Sequence, residues 1–279
     1  HTVADIVVAN VESVTLDSSG MTAGKTNTLS DLSADAKLTS LTITGDSNLT
    51  ITLTSGTTKL ATVNASALTG DLSYTSTVAS LAETITTGSG NDTIIMGTNL
   101  TALDVIDAGA NTTLTDGTAG KDTLTATIDA LGTVDTPAAL SIANVETLTL
   151  NTATAASVIN AAGITGNSTI ELTAGQNVTM TNIAAGTSIQ LGSGATEYAA
   201  GTLDLSLADE TGAADAMTLA VTNSADATSS ATLKVSSTVE TLNVVASTES
   251  TNPEATNLTN TLMLATNVVV TKGAAADTL

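Results

Sequence analysis

Residues 86–97 read T-T-G-S-G-N-D-T-I-I-M-G. Two glycines flank a serine, a lone carboxylate follows two positions on, and a pair of isoleucines comes next. Gly88 and Gly90 can adopt backbone angles closed to other residues and so aim carbonyl oxygens at one point. Asp92 adds a charged oxygen there, and Ile94 then drops into an apolar interior. Residues 87–95 match the pattern G-G-x-G-x-D-x-U-x, a Ca2+-binding repeat of parallel β-helices, at its second and fourth positions, its aspartate and its apolar eighth residue. Thr87 stands where the pattern has its first glycine. A second near-match, G-T-A-G-K-D-T-L-T (117–125), offers Gly117, Gly120 and Asp122. Between the two, D-V-I-D-A-G-A-N (104–111) places Asp104, Asp107 and Gly109 as a facing half-site, and K-G-A-A-A-D-T-L (272–279) reads as a degraded third copy. Hard oxygen donors without softer ligands favour calcium, and a cation between stacked turns would cancel the repulsion of their carboxylates. The competing reading is a plain β-turn whose Asp side chain caps its own backbone.

Charge and composition restrict other chemistry. The 279 residues carry 27 Asp and Glu against 6 Lys and Arg, a formal net charge of −21. Such a surface repels phosphate backbones, so nucleic acid is excluded as a partner. No apolar run approaches the ~18 residues that suggest a membrane-spanning helix, so membrane insertion is not expected. There is no Cys, and the one His is His1. A Ser-His-Asp triad, His-ligated zinc and disulfides therefore fall away. A carboxylate pair for glycoside cleavage is conceivable, but sugar sites use aromatic platforms, and Tyr74 and Tyr198 are the only aromatics. Each Tyr reads as a rim residue covering the end of a coil. The six Lys are too scattered for a basic patch, and the five Met read as core fillers. The chain is read as a non-enzyme. Asp46, Asp71, Asp204, Asp209, Asp215 and Asp226 lack a glycine framework and read as exposed turn residues.

The elements that must position these residues are short strands. Alternating runs such as L-T-S-L-T-I-T (38–44), L-T-I-T-L-T (49–54), D-T-L-T-A-T-I (122–128) and V-E-T-L-T-L (145–150) recur throughout, punctuated by Gly, Asn, Asp or Ser. Strand centres at Leu41, Val63, Ile85, Ile106 and Leu124 are spaced by 22, 22, 21 and 18 residues. A period near 20 with two or three strands in each repeat is the mark of a β-solenoid. Some 14 coils stacked at about 4.8 Å would make a rod on the order of 65 Å long. An immunoglobulin-like sandwich would also show many short strands, but it normally buries a Trp, and this chain has none. Longer repeats lie above the coil: A-N-V-E-S-V-T-L (9–16), A-N-V-E-T-L-T-L (143–150) and S-T-V-E-T-L-N-V (237–244) are near copies. Glu12, Glu146 and Glu240 in these copies read as solvent-facing strand residues, with a contact to a neighbouring coil or a cation as the alternative.

These features together resemble calcium-dependent bacterial surface-layer proteins of the RTX type. The resemblance rests on the V-E-T-φ-x-φ strands, T-G-D-S-N-L-T-I-T, V-N-A-S-A-L-T-G and G-S-G-N-D-T-I-I in that order, and it is best over residues 9–126. It implies an all-β, right-handed parallel β-solenoid in consecutive lobes, expected at 1–136, 137–236 and a truncated 237–279. It further implies type I secretion, an extracellular place at the bacterial cell surface and assembly with copies of itself into a two-dimensional lattice. A surface polysaccharide would be bound through a part of the protein outside this piece. Gly88, Gly90, Asp92, Gly117, Gly120 and Asp122 would bear the calcium ligands. The alternative function is a stalk segment of a large secreted RTX adhesin. An ice-binding solenoid ranks last, because it would need T-x-T pairs on one flat face in every coil, and in L-T-I-T-L-T (49–54) and L-T-L-N-T (148–152) they drift between coils.

Overall fold

In the computed structural model the described residues are 1–22, 25–34, 37–53, 59–77, 82–111, 120–128, 140–151, 157–166, 169–173, 176–192, 200–209, 211, 215–222, 230–235, 239, 241–247, 261–263 and 268–272. They form an all-β parallel solenoid with almost no helix. Every strand pairing reported among them is parallel. The chain divides into two compact units, His1–Ala126 with Leu140–Thr147, and Thr127–Ala139 with Leu148–Leu279.

The first unit winds between two sheets. Sheet one contains, in order, Thr2–Val3, Thr26–Ala34, Asn48–Leu53, Leu72–Thr75, Thr93–Gly97 and Thr123–Thr127. Sheet two runs from Ser13–Ser18 through Ser40–Gly45, Thr62–Leu68, Thr84–Thr86 and Val105–Asp107 to Ser141–Ala143. Successive side chains in a strand point to opposite faces, so apolar residues at alternate positions fill the interior. Leu29, Ile51, Tyr74, Ile94 and Leu124 stack in register along sheet one. Val14, Leu41, Val63, Ile85, Ile106 and Ile142 do the same along sheet two. The four centres Leu41, Val63, Ile85 and Ile106 are thus true register partners at the spacing read from the sequence. Leu124 is not their fifth member; it lies on sheet one opposite Ile94, and Ile142 takes its place.

The second unit repeats the plan. Ile170, Ile189, Leu219, Val244 and Val270 are register partners along one of its sheets. Val178, Leu203, Leu233 and Leu262 are register partners along the other. Met96, Met180 and Met217 are buried, as core fillers should be. Among the described residues no helix is long and apolar enough to cross a membrane.

Tyr74 departs from expectation. It does not cover a coil end. It is fully buried in the core between Ile51 and Ile94, with 0% of its surface exposed.

Candidate functional site: an acidic corner ladder

A backbone amide buried at the corner between two strands is costly to leave open. In the first unit a carboxylate stands immediately before each of several strands: D92-T-I-I and D122-T-L-T at the corner entering sheet one, E146-T-L-T before the strand Thr147–Asn151, and E83-T-I-T and D104-V-I-D at the corner entering sheet two. Most of them reach back to a preceding coil. Asp92 Oδ1 accepts from the Leu72 amide at 2.7 Å, Asp122 Oδ1 from the Asp92 amide at 2.6 Å, and Glu146 Oε2 from the Asp122 amide at 2.8 Å. Asp104 Oδ1 accepts from the Glu83 amide at 2.7 Å, and its Oδ2 from the Thr101 amide at 2.6 Å. A neighbouring file runs the opposite way. Asn48 Oδ1 accepts from the Asp71 amide at 3.0 Å, Asp71 Oδ1 from the Asn91 amide at 2.8 Å, and Asn91 Oδ1 from the Lys121 amide at 3.1 Å. The corner is therefore stitched by two antiparallel series of side-chain-to-backbone bonds, continuing the strand ladder through the turn.

The glycines have a different job from the one their sequence suggested. Gly88 and Gly90 are not among the positive-φ residues; of the glycines proposed for the site, Gly109 is, at φ 79°. What Gly88 and Gly90 share is close approach. A Cβ on Gly88 would lie 1.8 Å from the Leu68 carbonyl oxygen, and one on Gly90 2.5 Å from that of Gly70. One on Gly109 would meet the Gly88 oxygen at 2.1 Å. They are glycines because successive coils touch backbone to backbone there. Thr87, the departure from the nonapeptide, is buried and donates its hydroxyl to the Ala108 carbonyl at 2.7 Å.

The electrostatics of the ladder are unfavourable as they stand. Asp92 is 1% exposed and Asp122 0% exposed. Each uses Oδ1 in the ladder, while Asp92 Oδ2 and Asp122 Oδ2 have no hydrogen bond of good geometry, the Thr87 hydroxyl and Gly88 amide near Asp92 included. Burial pushes the Asp122 carboxyl up from its usual 3.8 to about 7, with the charges of Asp92, Glu146 and Asp71 adding to it against the Asp92 amide. Burial also raises the Asp92 carboxyl, with Asp71 adding, while Thr87 and the Leu72 and Gly88 amides favour its charged form.

The proposed site residues divide in space. Asp92 and Asp122 are joined through one hydrogen bond. Asp104 belongs to the other corner with both oxygens engaged. Asp107 Oδ1 accepts from the Gly109 amide at 3.0 Å and from Asn144 Nδ2 at 2.8 Å. Gly120 is buried beside Asp122 in sequence; Gly117 and residues 273–279 of the degraded third copy lie outside the described residues, as does Glu240. Among the described residues no three acidic or histidine side chains converge as a metal-binding group.

A polar cluster in the core was missed from sequence. Glu83, 1% exposed, takes the Tyr74 hydroxyl on Oε1 at 2.9 Å and the Ser76 hydroxyl on Oε2 at 2.5 Å. Burial raises its carboxyl from 4.5 to about 7 with Asp104 adding, while the Ser76 and Tyr74 hydroxyls oppose. Asp71 and Glu146 were also underrated. One common signal could have found most of these residues: an acidic residue directly before Thr or Val and an apolar residue, repeated five times within 64 positions from Glu83 to Glu146.

Comparison with protein-family models, with curated proteins and with solved structures found no match to this chain.

Proposed function

We propose that the chain is a structural segment of a calcium-stabilised bacterial surface layer, exported by a type I system and assembling with copies of itself outside the cell. The observation that carries this reading is the pair of buried, unpartnered oxygens, Asp92 Oδ2 and Asp122 Oδ2, on adjacent coils. Two hard anionic oxygens in a strongly acidic chain suit calcium, which takes six to eight oxygen ligands. Asp92 and Asp122 would hold the ion, whose charge would offset the repulsion that raises Asp122. The remaining ligands would be backbone carbonyls and water, since no third carboxylate converges among the described residues. The solenoid adds a rigid, repetitive body, and the acidic β-repeat sequence supplies the resemblance to surface-layer proteins.

The test is a calcium titration followed by thermal melting and electron microscopy. Calcium should raise Tm, because a ligand held only by the folded state stabilises it, and should produce ordered two-dimensional arrays. A melt unchanged between calcium and excess EDTA removes the ion from the reading. A calcium-raised melt with monomers under every condition removes self-assembly and favours a stalk of an adhesin.

A further inference from the structure

Sheet one of the first unit presents a face with no charged residue in its central files, although the chain carries −21. Its outward positions fall into two files. Thr28, Thr50, Ser73, Thr93 and Thr123 are register partners in successive coils. Beside them run Thr52, Thr75, Ile95 and Thr125, also in register. Across the four coils that contribute to both files, six of the eight positions are Thr. Of the T-x-T pairs, Thr50 with Thr52 and Thr123 with Thr125 fall in these files although their coils differ in length, while Thr84 with Thr86 lies on sheet two. Adjacent hydroxyls are linked where Thr123 donates to Thr93 at 3.3 Å. The outward face of sheet two is different, with Asp17 and Asp107 in its files.

We propose that this threonine face binds the surface of an ice crystal. The argument is one of charge and spacing. Neighbouring residues in a file are separated by the interstrand distance of about 4.8 Å, and the two files by two residues of strand, about 6.6 Å; the Thr123 and Thr93 hydroxyls are drawn together to 3.3 Å. Water oxygens hydrogen-bonded at about 2.75 Å in a tetrahedral lattice have second neighbours about 4.5 Å apart and an axial repeat of about 7.3 Å. Both protein spacings fall within about a tenth of these values. The hydroxyls can therefore join a water lattice row by row, while the β-branched side chain is stiff at χ1 and holds each methyl in the gap between. Other ligands fit the face less well. It has no aromatic platform for a sugar and no cation for a phosphate, and its neutrality matches an uncharged lattice.

The test uses the full chain in calcium, labelled with a fluorophore. An ice hemisphere is grown from its solution, and freezing hysteresis is measured on single crystals. The parent protein should accumulate in the ice and show hysteresis. Thr75→Lys with Thr125→Lys should reduce both to the level of buffer, whereas Thr62→Lys on sheet two should leave them unchanged. Thr75→Ser with Thr125→Ser, which keeps the hydroxyls, should also lose hysteresis through its missing methyls and serves if the lysine variant does not fold. Exclusion of the parent protein from ice would overturn the proposal, as would equal loss in Thr62→Lys. Sedimentation is run alongside: a dimer broken by the paired lysine variant, without hysteresis in the parent, would assign the face to a second copy and overturn ice binding.

Discussion

At the scale of the residue, the informative groups are carboxylates that the fold encloses. Glu83 is held between two hydroxyls with its carboxyl raised from 4.5 to about 7. A raised carboxyl binds its proton more tightly in the folded state than in the unfolded chain. Its stabilising contribution is therefore complete below about pH 4.5 and is lost as pH climbs toward 7. At about 1.36 kcal/mol per pKa unit the swing is about 3 kcal/mol. Calcium-free protein should accordingly melt at progressively lower temperature from pH 4.5 to 7. Glu83→Gln, which keeps an acceptor for Tyr74 or Ser76, should flatten part of that slope, and Asp122→Asn a further part, because Asp122 is likewise raised to about 7. A parent protein whose Tm is constant across this window would show that these carboxyls titrate normally. Asp92 separates two roles. Asp92→Asn retains an oxygen for the Leu72 amide but removes the charge, so it should melt higher than the parent in EDTA and gain less from calcium. Asp92→Ala strands that amide and should cost about 1–3 kcal/mol in either condition. Denaturant midpoints with and without calcium distinguish the two.

At the scale of the element, the strands were legible because each coil repeats the same period-two pattern. The alternating runs at 38–44 and 49–54 fall on the strands Ser40–Gly45 and Asn48–Leu53. The spacing Leu41, Val63, Ile85, Ile106 gave true register partners. The assignment of strands to sheets was not legible. T-L-T-A-T on sheet one and S-L-T-I-T on sheet two present the same alternation, so Leu124 was placed on the wrong face of the coil. Nor was the role of the glycines. Sequence shows that a residue is glycine, not whether its freedom of φ or its missing Cβ is being used. Gly90 and Asp92 kept the motif visible, while the reason for Gly88, contact with the backbone of the preceding coil, lies in three dimensions. Two glycines therefore make a discriminating pair. Gly97 has φ 52° and nothing within 4 Å of where a methyl would stand, so Gly97→Ala should cost only the left-handed strain of about 1–2 kcal/mol. Gly88→Ala forces two coils apart and should cost more, about 3 kcal/mol, in the range of severe overpacking. Urea midpoints in the reverse order would mean that the coils do not meet at Leu68 as described.

At the scale of the whole molecule, the charge decides how copies can meet. A net charge of −21 on 279 residues opposes any close approach between them. Monovalent salt and calcium answer this differently. Salt shortens the reach of the field, to about 8 Å at physiological strength, but it bridges nothing and leaves buried pairs such as Asp92 and Asp122 largely unscreened. A divalent ion can neutralise buried carboxylates and link exposed ones on two molecules. The expected order under the electron microscope is therefore dispersed particles in EDTA, dispersed or disordered particles in EDTA with about 0.5 M NaCl at about 4 Å screening, and ordered arrays in millimolar calcium at low salt. Asp122→Asn should assemble only at higher calcium, because its coils are already relieved of one buried charge and hold the ion less well. Arrays that form as readily in sodium chloride with EDTA would show that screening alone permits assembly, and the ladder of carboxylates would then be stitching for the coils with no part in holding copies together.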